Sequence, residues 1–192
     1  HSFVGFYDAA TGGICYYDES LAPQKSAWDK EGNAATLYAQ FTANVYDVFI
    51  SANQGEGTIS SIKATYGQPL PAPADYMAPV RAGYTLVGFY DTSAPDSGTL
   101  YLNADGSSAH VWDKASYGYL HAQWQANTYA VTFDGQGGTG GTAEASVTYH
   151  AALPSITLPA RPGYSFGGYY AEPNGAGTCY YDGSGAATTF WD

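Results

Sequence analysis

Basic residues and long apolar runs are both scarce in this sequence. Six residues are Lys or Arg against seventeen Asp and Glu, which gives a net charge of −11. Nucleic acids and anionic membranes bind clustered basic side chains, so we expect neither as a partner. No apolar run approaches the roughly 18 residues that a spanning helix needs, so direct membrane insertion is not expected.

Cysteine is nearly absent, and the two examples cannot build a disulfide framework. Cys15 and Cys179 occupy the same position in two copies of an internal repeat, and Leu100 occupies it in another copy. A position shared by Cys and Leu indicates a small, buried, apolar site. We therefore expect free, unreactive thiols.

Glycine and tyrosine, in contrast, are abundant, with 24 and 19 residues. Hydrophobic residues make up 45% of the chain and charged residues 12%, a balance that argues against disorder. Short strands joined by glycine-containing turns produce such a composition.

One block of sequence occurs three times. Each copy has an aromatic strand with Gly-aromatic-Tyr, a turn of small residues, a short Tyr-bearing strand and a closing Trp-Asp. The marker glycines are separated by 83 and 80 residues and the marker tryptophans by 84 and 79. These markers are Gly5, Gly88 and Gly168, and Trp28, Trp112 and Trp191. A period of this size indicates one small domain per repeat.

The period predicts three segments. Residues 1–44 are the C-terminal part of a repeat, residues 45–127 are a complete repeat, and residues 128–192 are a repeat that lacks its last strand. Short joints that end in Ala-Asn separate them. No signal peptide precedes the first segment, and because the chain begins inside a repeat we expect it to be a piece of a longer protein.

The order of elements within a repeat predicts an α+β fold that is mostly β. A strand and a glycine-turn hairpin come first, then a crossover, then the block described above. Four prolines in the crossover limit it to a short helix or turn. They are Pro69, Pro71, Pro73 and Pro79.

At these residues the sequence resembles the Listeria–Bacteroides repeat family, also called the internalin B repeat. The matching features are Tyr129 to Asp134 with the glycine tail 135–138, Leu153-Pro154, Arg161 to Tyr164, Phe166, Gly168 to Tyr170, Trp112-Asp113 and Leu120 to Trp124. The middle copy departs from the pattern where Ile50 to Asn53 replaces Phe-Asp-Gly, and residues 78–82 lack the proline before glycine.

The resemblance implies small β-grasp-like modules, arranged in tandem in bacterial surface proteins and joined here by short helical crossovers. It implies a non-catalytic adhesion or spacer unit, located outside the cell or on its surface, with no catalytic or cofactor-binding residues to transfer.

Candidate reaction centres and metal sites were weighed and set aside. Asp134 and the loops 103–106 and 182–185 lack the alternating carboxylates of a calcium site, so turns are expected. The glycine run 137–141 lacks the Lys-Ser/Thr of a phosphate loop. The histidines show no paired zinc-ligand spacing; they are His1, His110, His121 and His150. We expect no enzyme activity, metal or cofactor.

Two sets of aromatic residues remain. Tyr16-Tyr17 and Tyr180-Tyr181 are adjacent pairs on predicted strands, and one member of each must face outward. Those tyrosines could bind a sugar or a protein, or could simply cover a thin core. The three tryptophans, with the marker glycines, are expected to be structural core positions.

Three functions therefore stay open. The first is a stalk or adhesion array whose partners are its neighbouring repeats. The second is a module that binds a glycan or host protein, and the third is an accessory region of an extracellular enzyme. The incomplete end segments also allow head-to-tail self-association by strand donation.

Overall fold

The structure, a computed structural model, describes residues 1–32 and 34–192. It contains two compact units. The first comprises residues 1–53, 57–78 and 88–123, and the second comprises residues 54–56, 79–87 and 124–192. The strands are β1 Ser2–Tyr7, β2 Cys15–Asp18, β3 Tyr38–Thr42, β4 Val45–Ser51, β5 Ile62–Thr65, β6 Tyr84–Tyr90, β7 Leu100–Asn103, β8 Gly118–Ala126, β9 Thr128–Thr132, β10 Glu144–Thr148, β11 Gly168–Glu172 and β12 Ala176–Asp182.

The middle repeat forms a five-stranded sheet in the order β5-β4-β8-β6-β7. Strands β4 and β5 form an antiparallel hairpin, and β6 and β7 form another. Strand β8 lies between the hairpins and pairs in parallel with β4, with Ile50 opposite Leu120. The last strand of the repeat therefore closes the sheet from its centre.

The flanking repeats contain parts of the same arrangement. In the first, the sheet order is β2-β1-β3, which corresponds to β7-β6-β8 without a β4–β5 hairpin. In the third, β9 pairs with β10 and β11 pairs with β12, but as two separate sheets. The third repeat has no strand equivalent to β8 in the described chain.

The best-formed core belongs to the middle repeat. The large side chains with almost no exposed surface all come from that repeat, and they are Trp112, Tyr101, Phe89, Leu102, Leu120 and Val48. Tyr101 and Leu102 are neighbours on β7 and point to opposite faces, yet both are buried. Both faces of this edge strand are therefore covered.

The predicted short helical crossovers, and with them the α+β class, were wrong. The described residues contain no α-helix, and the one helical turn is a 3₁₀ turn at Pro173–Gly175. Isolated bridges hold the crossover of the middle repeat in extended form, such as Pro69 to Val111 and Glu56 to Val80. Because proline cannot donate a backbone hydrogen bond, the crossover proline content prevents even a short helix. The prediction of a mostly β fold agrees with the structure.

The three marker glycines lie where two strands approach closely. A Cβ on Gly88 would lie 2.8 Å from the carbonyl oxygen of Leu102, and one on Gly168 would lie 2.5 Å from that of Tyr181. A Cβ on Gly5 would meet the Tyr17 oxygen at 2.3 Å. Because the obstacle is backbone, these positions have no room for another residue.

Candidate functional site

The joints between repeats are built twice from the same set of residues. At the second joint, the Thr85 hydroxyl donates to Oδ1 of Asn127 at 2.6 Å, and the Tyr149 amide donates to the Asn127 carbonyl at 2.9 Å. The Asn127 amide donates to the Gly83 carbonyl at 2.8 Å. One asparagine thus connects the end of the middle repeat to the start of the third.

The first joint repeats this pattern 83 residues earlier. The Ser2 hydroxyl donates to Oδ1 of Asn44 at 2.7 Å, and the Tyr66 amide donates to the Asn44 carbonyl at 2.9 Å. The Asn44 side chain also donates to the Tyr46 hydroxyl at 3.2 Å. The joint is therefore a feature of the repeat and was visible in the sequence as the shared Ala-Asn.

Aromatic rings pack across each joint. The rings of Tyr84 and Tyr149 lie 5.5 Å apart, centroid to centroid, in an edge-to-face arrangement, and His1 and Tyr66 have the same arrangement at 5.2 Å. Such geometry places the positive edge of one ring over the face of the other. Hydrogen bonds and ring contacts together restrict the joint.

Gly83 makes room for the second joint. Its φ is +75°, and a Cβ there would lie 2.3 Å from the ring of Tyr149. Gly163, at the equivalent position of the third repeat, has a φ of +79° and no atom within 4 Å of such a Cβ. The two glycines therefore share a backbone conformation but differ in what surrounds them.

A cluster of Tyr, Asp and Lys side chains stabilises the block around the Trp-Asp pair. In the middle repeat, the Tyr101 hydroxyl donates to Asp113, and the ammonium of Lys114 lies 2.8 Å from Asp91 and 5.5 Å from the centroid of the Tyr101 ring. The sequence reasoning missed this cluster. The recurrence of Trp-Asp-Lys at residues 28–30 and 112–114 was the available signal.

The first repeat has the same cluster, built from Tyr16, Asp29, Lys30 and Asp8. The hydrogen bond from Lys30, and then the amide of Ile14, lower the pKa of Asp8. In the middle repeat, burial and then the hydrogen bond to Asp113 raise the pKa of the Tyr101 hydroxyl to about 12. These shifts accompany structural contacts, with no open cleft beside them.

The predicted ligand tyrosines lie in different surroundings. Tyr16 and Tyr181 are buried, Tyr17 is 39% exposed, and Tyr180 is half-buried and donates to Asp192 at 3.0 Å. The two pairs belong to different compact units, and each is described by itself.

The marker tryptophans also differ from one another. Trp112 is buried, Trp191 is half-buried and Trp28 is 56% exposed. The difference follows the completeness of the sheet around each ring.

The thiols are free and half-buried. Sγ of Cys15 lies 3.2 Å from the carbonyl oxygen of Tyr17, and Sγ of Cys179 lies 3.3 Å from that of Tyr181. Their low reactivity stays a prediction.

Within the described residues, no group of three or more His, Cys, Asp or Glu side chains is placed to hold a metal ion. The carboxylates weighed as calcium ligands cap their own turns instead. Asp134 accepts from the amide of Gln136 at 2.9 Å, and Asp182 accepts from the amide of Ser184 at 2.8 Å. Nor does any described segment form a helix of the length and apolarity that a membrane crossing requires.

An exposed aromatic cluster lies on the outer face of the middle repeat. The rings of Phe49 and Tyr119 stack at 5.3 Å, and Tyr117 packs against Tyr119 at 6.1 Å. These side chains are 42%, 55% and 64% exposed in the order Phe49, Tyr119, Tyr117. The sequence reasoning overlooked the cluster because its members come from strands that pair only in the folded sheet.

Comparison with known proteins supports the resemblance. Residues 129–190 match the family model described as the Listeria-Bacteroides repeat domain. A protein of Evansella cellulosilytica described as "Putative membrane protein" is 29% identical over 180 residues, which is 90% of this chain and 23% of that protein. Internalin H of Listeria monocytogenes is 36% identical over 106 residues, which is 55% of this chain and 17% of that protein.

The chain thus spans less than a quarter of the length of these relatives. No solved structure matches it significantly. The match of the family model to the third segment confirms the resemblance inferred from the repeated block. Through residues 129–190, the chain belongs to the Listeria-Bacteroides repeat domain family.

Proposed function

We propose that this chain is a non-catalytic tandem-repeat region of a bacterial surface protein, in which it serves as a stalk or adhesion segment. The observation that carries the proposal is the joint. Asn44 and Asn127 make the same backbone and side-chain contacts at both junctions. A chain that positions something at a distance needs restricted joints, whereas independent binding domains tolerate flexible linkers.

The relatives support a surface location. One is described as a membrane protein and another is an internalin. The charge of −11 fits a role in an aqueous exterior, because it favours solubility and opposes non-specific association. The structural clusters around the Trp-Asp pairs are consistent with a scaffold and supply no reacting group.

Hydrogen exchange at the joint tests the proposal. The amides of Asn127 and Tyr149 each donate a backbone hydrogen bond across the joint. If the joint is fixed, both should exchange as slowly as the amides of β9 and β10. Exchange as fast as in an unstructured peptide would show a flexible linker and contradict the stalk.

The exposed aromatic cluster favours a second function, recognition of a glycan or protein. Stacked, solvent-facing rings offer a flat apolar surface that suits the faces of sugar rings or a protein anchor. Removal of the central ring by Tyr119→Ser should abolish any such binding in a glycan-array screen, and Tyr129→Ser, outside the cluster, should not. Equal loss in both variants, or binding by neither variant nor the unaltered chain, would leave the stalk as the sole function.

A further inference from the structure

The third repeat has an open groove where the middle repeat has a strand. In the middle repeat, β8 lies between β4 and β6. The corresponding strands of the third repeat, β9 and β11, belong to separate sheets and enclose a groove of about 430 Å³. The groove lies wholly within the second compact unit.

The walls of the groove match the register of a missing strand. In the middle repeat, β4 pairs with β8 at four positions from Val48 to Ser51. The residues 83 positions later, Val131 to Asp134, line one wall of the groove. The other wall is Gly168 to Glu172, which corresponds to the strand that pairs with β3 in the first repeat. Both edges are therefore set to pair with a central strand.

The interior of the groove also matches the side chains of β8. Leu120 and Ala122, which point into the core of the middle repeat, are fully buried there. The groove offers an apolar floor in which the ring of Phe133 lies 4.8 Å from that of Tyr169, beside Val147. Apolar side chains at the first and third positions of an incoming strand would cover this floor.

A glutamine adds specificity to the strand. In the middle repeat, Nε2 of Gln123 donates to the carbonyls of Ala94 at 2.8 Å and Ser97 at 2.7 Å, in the turn that follows β6. In the first repeat, Gln40 donates to the turn that follows β1, at 2.9 Å to Ala9 and 2.6 Å to Gly12. The strand that fits such a site therefore has the pattern Leu-x-Ala-Gln-aromatic.

We propose that the groove between β9 and β11 is an acceptor site for an extended strand of this pattern, donated by another repeat of the same kind. The strand runs parallel to β9 and antiparallel to β11, as β8 does beside β4 and as β3 does beside β1. Its backbone pairs with both walls, Leu and Ala enter the apolar floor, and Gln donates to the turn after β11.

A synthetic peptide with the sequence of residues 117–126 tests the proposal on the whole chain. Fluorescence anisotropy of the labelled peptide should show saturable binding. Hydrogen exchange at β9 and β11 should slow by about tenfold or more in the complex. Strands β4 and β6 should be unaffected because β8 already lies between them, so the middle repeat is an internal control.

Two altered peptides separate strand recognition from general apolar adhesion. A peptide with Asp in place of Leu120 and Ala122 should not bind. A peptide with Gln123→Leu keeps its apolar surface and loses the donor, so it should bind at least roughly tenfold more weakly. If either altered peptide binds as well as the original, or the original neither binds nor slows exchange at β9, the proposal is wrong.

Variants of the chain localise the site. Val131 lines the groove, and Ala130 lies on the opposite face of the same strand. Val131→Lys should abolish peptide binding, and Ala130→Lys, with the same change of charge, should leave it intact. If the unaltered chain associates with itself and the peptide disperses the assembly, β3 of a second copy is the donor, which also supports the proposal. Equal binding to both variants would place the peptide elsewhere and contradict it.

Discussion

The rings of Tyr101 and Trp112 lie 5.3 Å apart in the middle repeat, and both side chains are buried. The equivalent pairs pack at similar distances, 5.4 Å for Tyr16 and Trp28 and 4.9 Å for Tyr180 and Trp191. The contact is thus common to all three repeats, but its burial is not. The completeness of the surrounding sheet decides how much each tryptophan contributes to stability.

Trp112→Ala should destabilise the protein by roughly 3–5 kcal/mol in urea denaturation, because truncation leaves a large cavity in the core. Trp28→Ala is the matched control. Since Trp28 is largely exposed, its truncation should cost less than about 1 kcal/mol. A loss below about 1 kcal/mol for Trp112→Ala would show that Trp112 is not a core residue.

Tyr101 predicts a loss of stability in alkali. Its pKa is raised from 10.0 to about 12 in the folded state. The protonated hydroxyl therefore contributes stability that is fully present below pH 10 and is lost as the pH rises through 12. Two pKa units correspond to a loss of about 3 kcal/mol.

The comparison with Tyr101→Phe isolates this contribution. The difference in unfolding free energy between the unaltered protein and Tyr101→Phe should stay constant below pH 10 and shrink between pH 10 and 12. Tyr119→Phe, at an exposed tyrosine of the same repeat, gives the reference for general alkaline effects. A pH-independent difference for Tyr101→Phe would refute the assignment.

Gly83→Ala should disrupt the second joint. Alanine at Gly83 or at Gly163 adopts an unfavourable left-handed conformation, which costs about 1–2 kcal/mol at either position. At Gly83 the new Cβ also collides with the Tyr149 ring, so an additional 1–3 kcal/mol is expected, as for overpacking. Thermal unfolding of the two variants measures the difference, and equal losses would mean that the Tyr149 contact does not matter.

The sequence predicted the repeat period, most strands and the asparagine joints, because those features depend on local pattern and recur at fixed spacing. Leu120 and Ala122 alternate with polar residues and are buried as that alternation indicates. The helical crossover failed because its prolines were taken to shorten a helix, when they prevent one and favour extended bridges.

The side-chain clusters were harder to predict. The bond from Tyr101 to Asp113 joins two parts of a repeat that alternation alone does not place together. The stack of Phe49 on Tyr119 depends on a parallel pairing between strands some 70 residues apart in sequence. Exposure of Tyr117 and Tyr119 could be known only once that register was known.

The central claim is that the joints between repeats are fixed. Spin labels at Val87 and Ser155, both within the second unit and both exposed, report on the second joint in a background with Cys15→Ser and Cys179→Ser. Pulsed electron resonance should give a single narrow distance distribution. Gln125→Ala, an exposed neighbour of the joint, should leave it narrow, and Asn127→Ala with Tyr149→Ala should broaden it. A broad distribution in the otherwise unaltered chain, or a narrow one in the joint variant, would contradict the account.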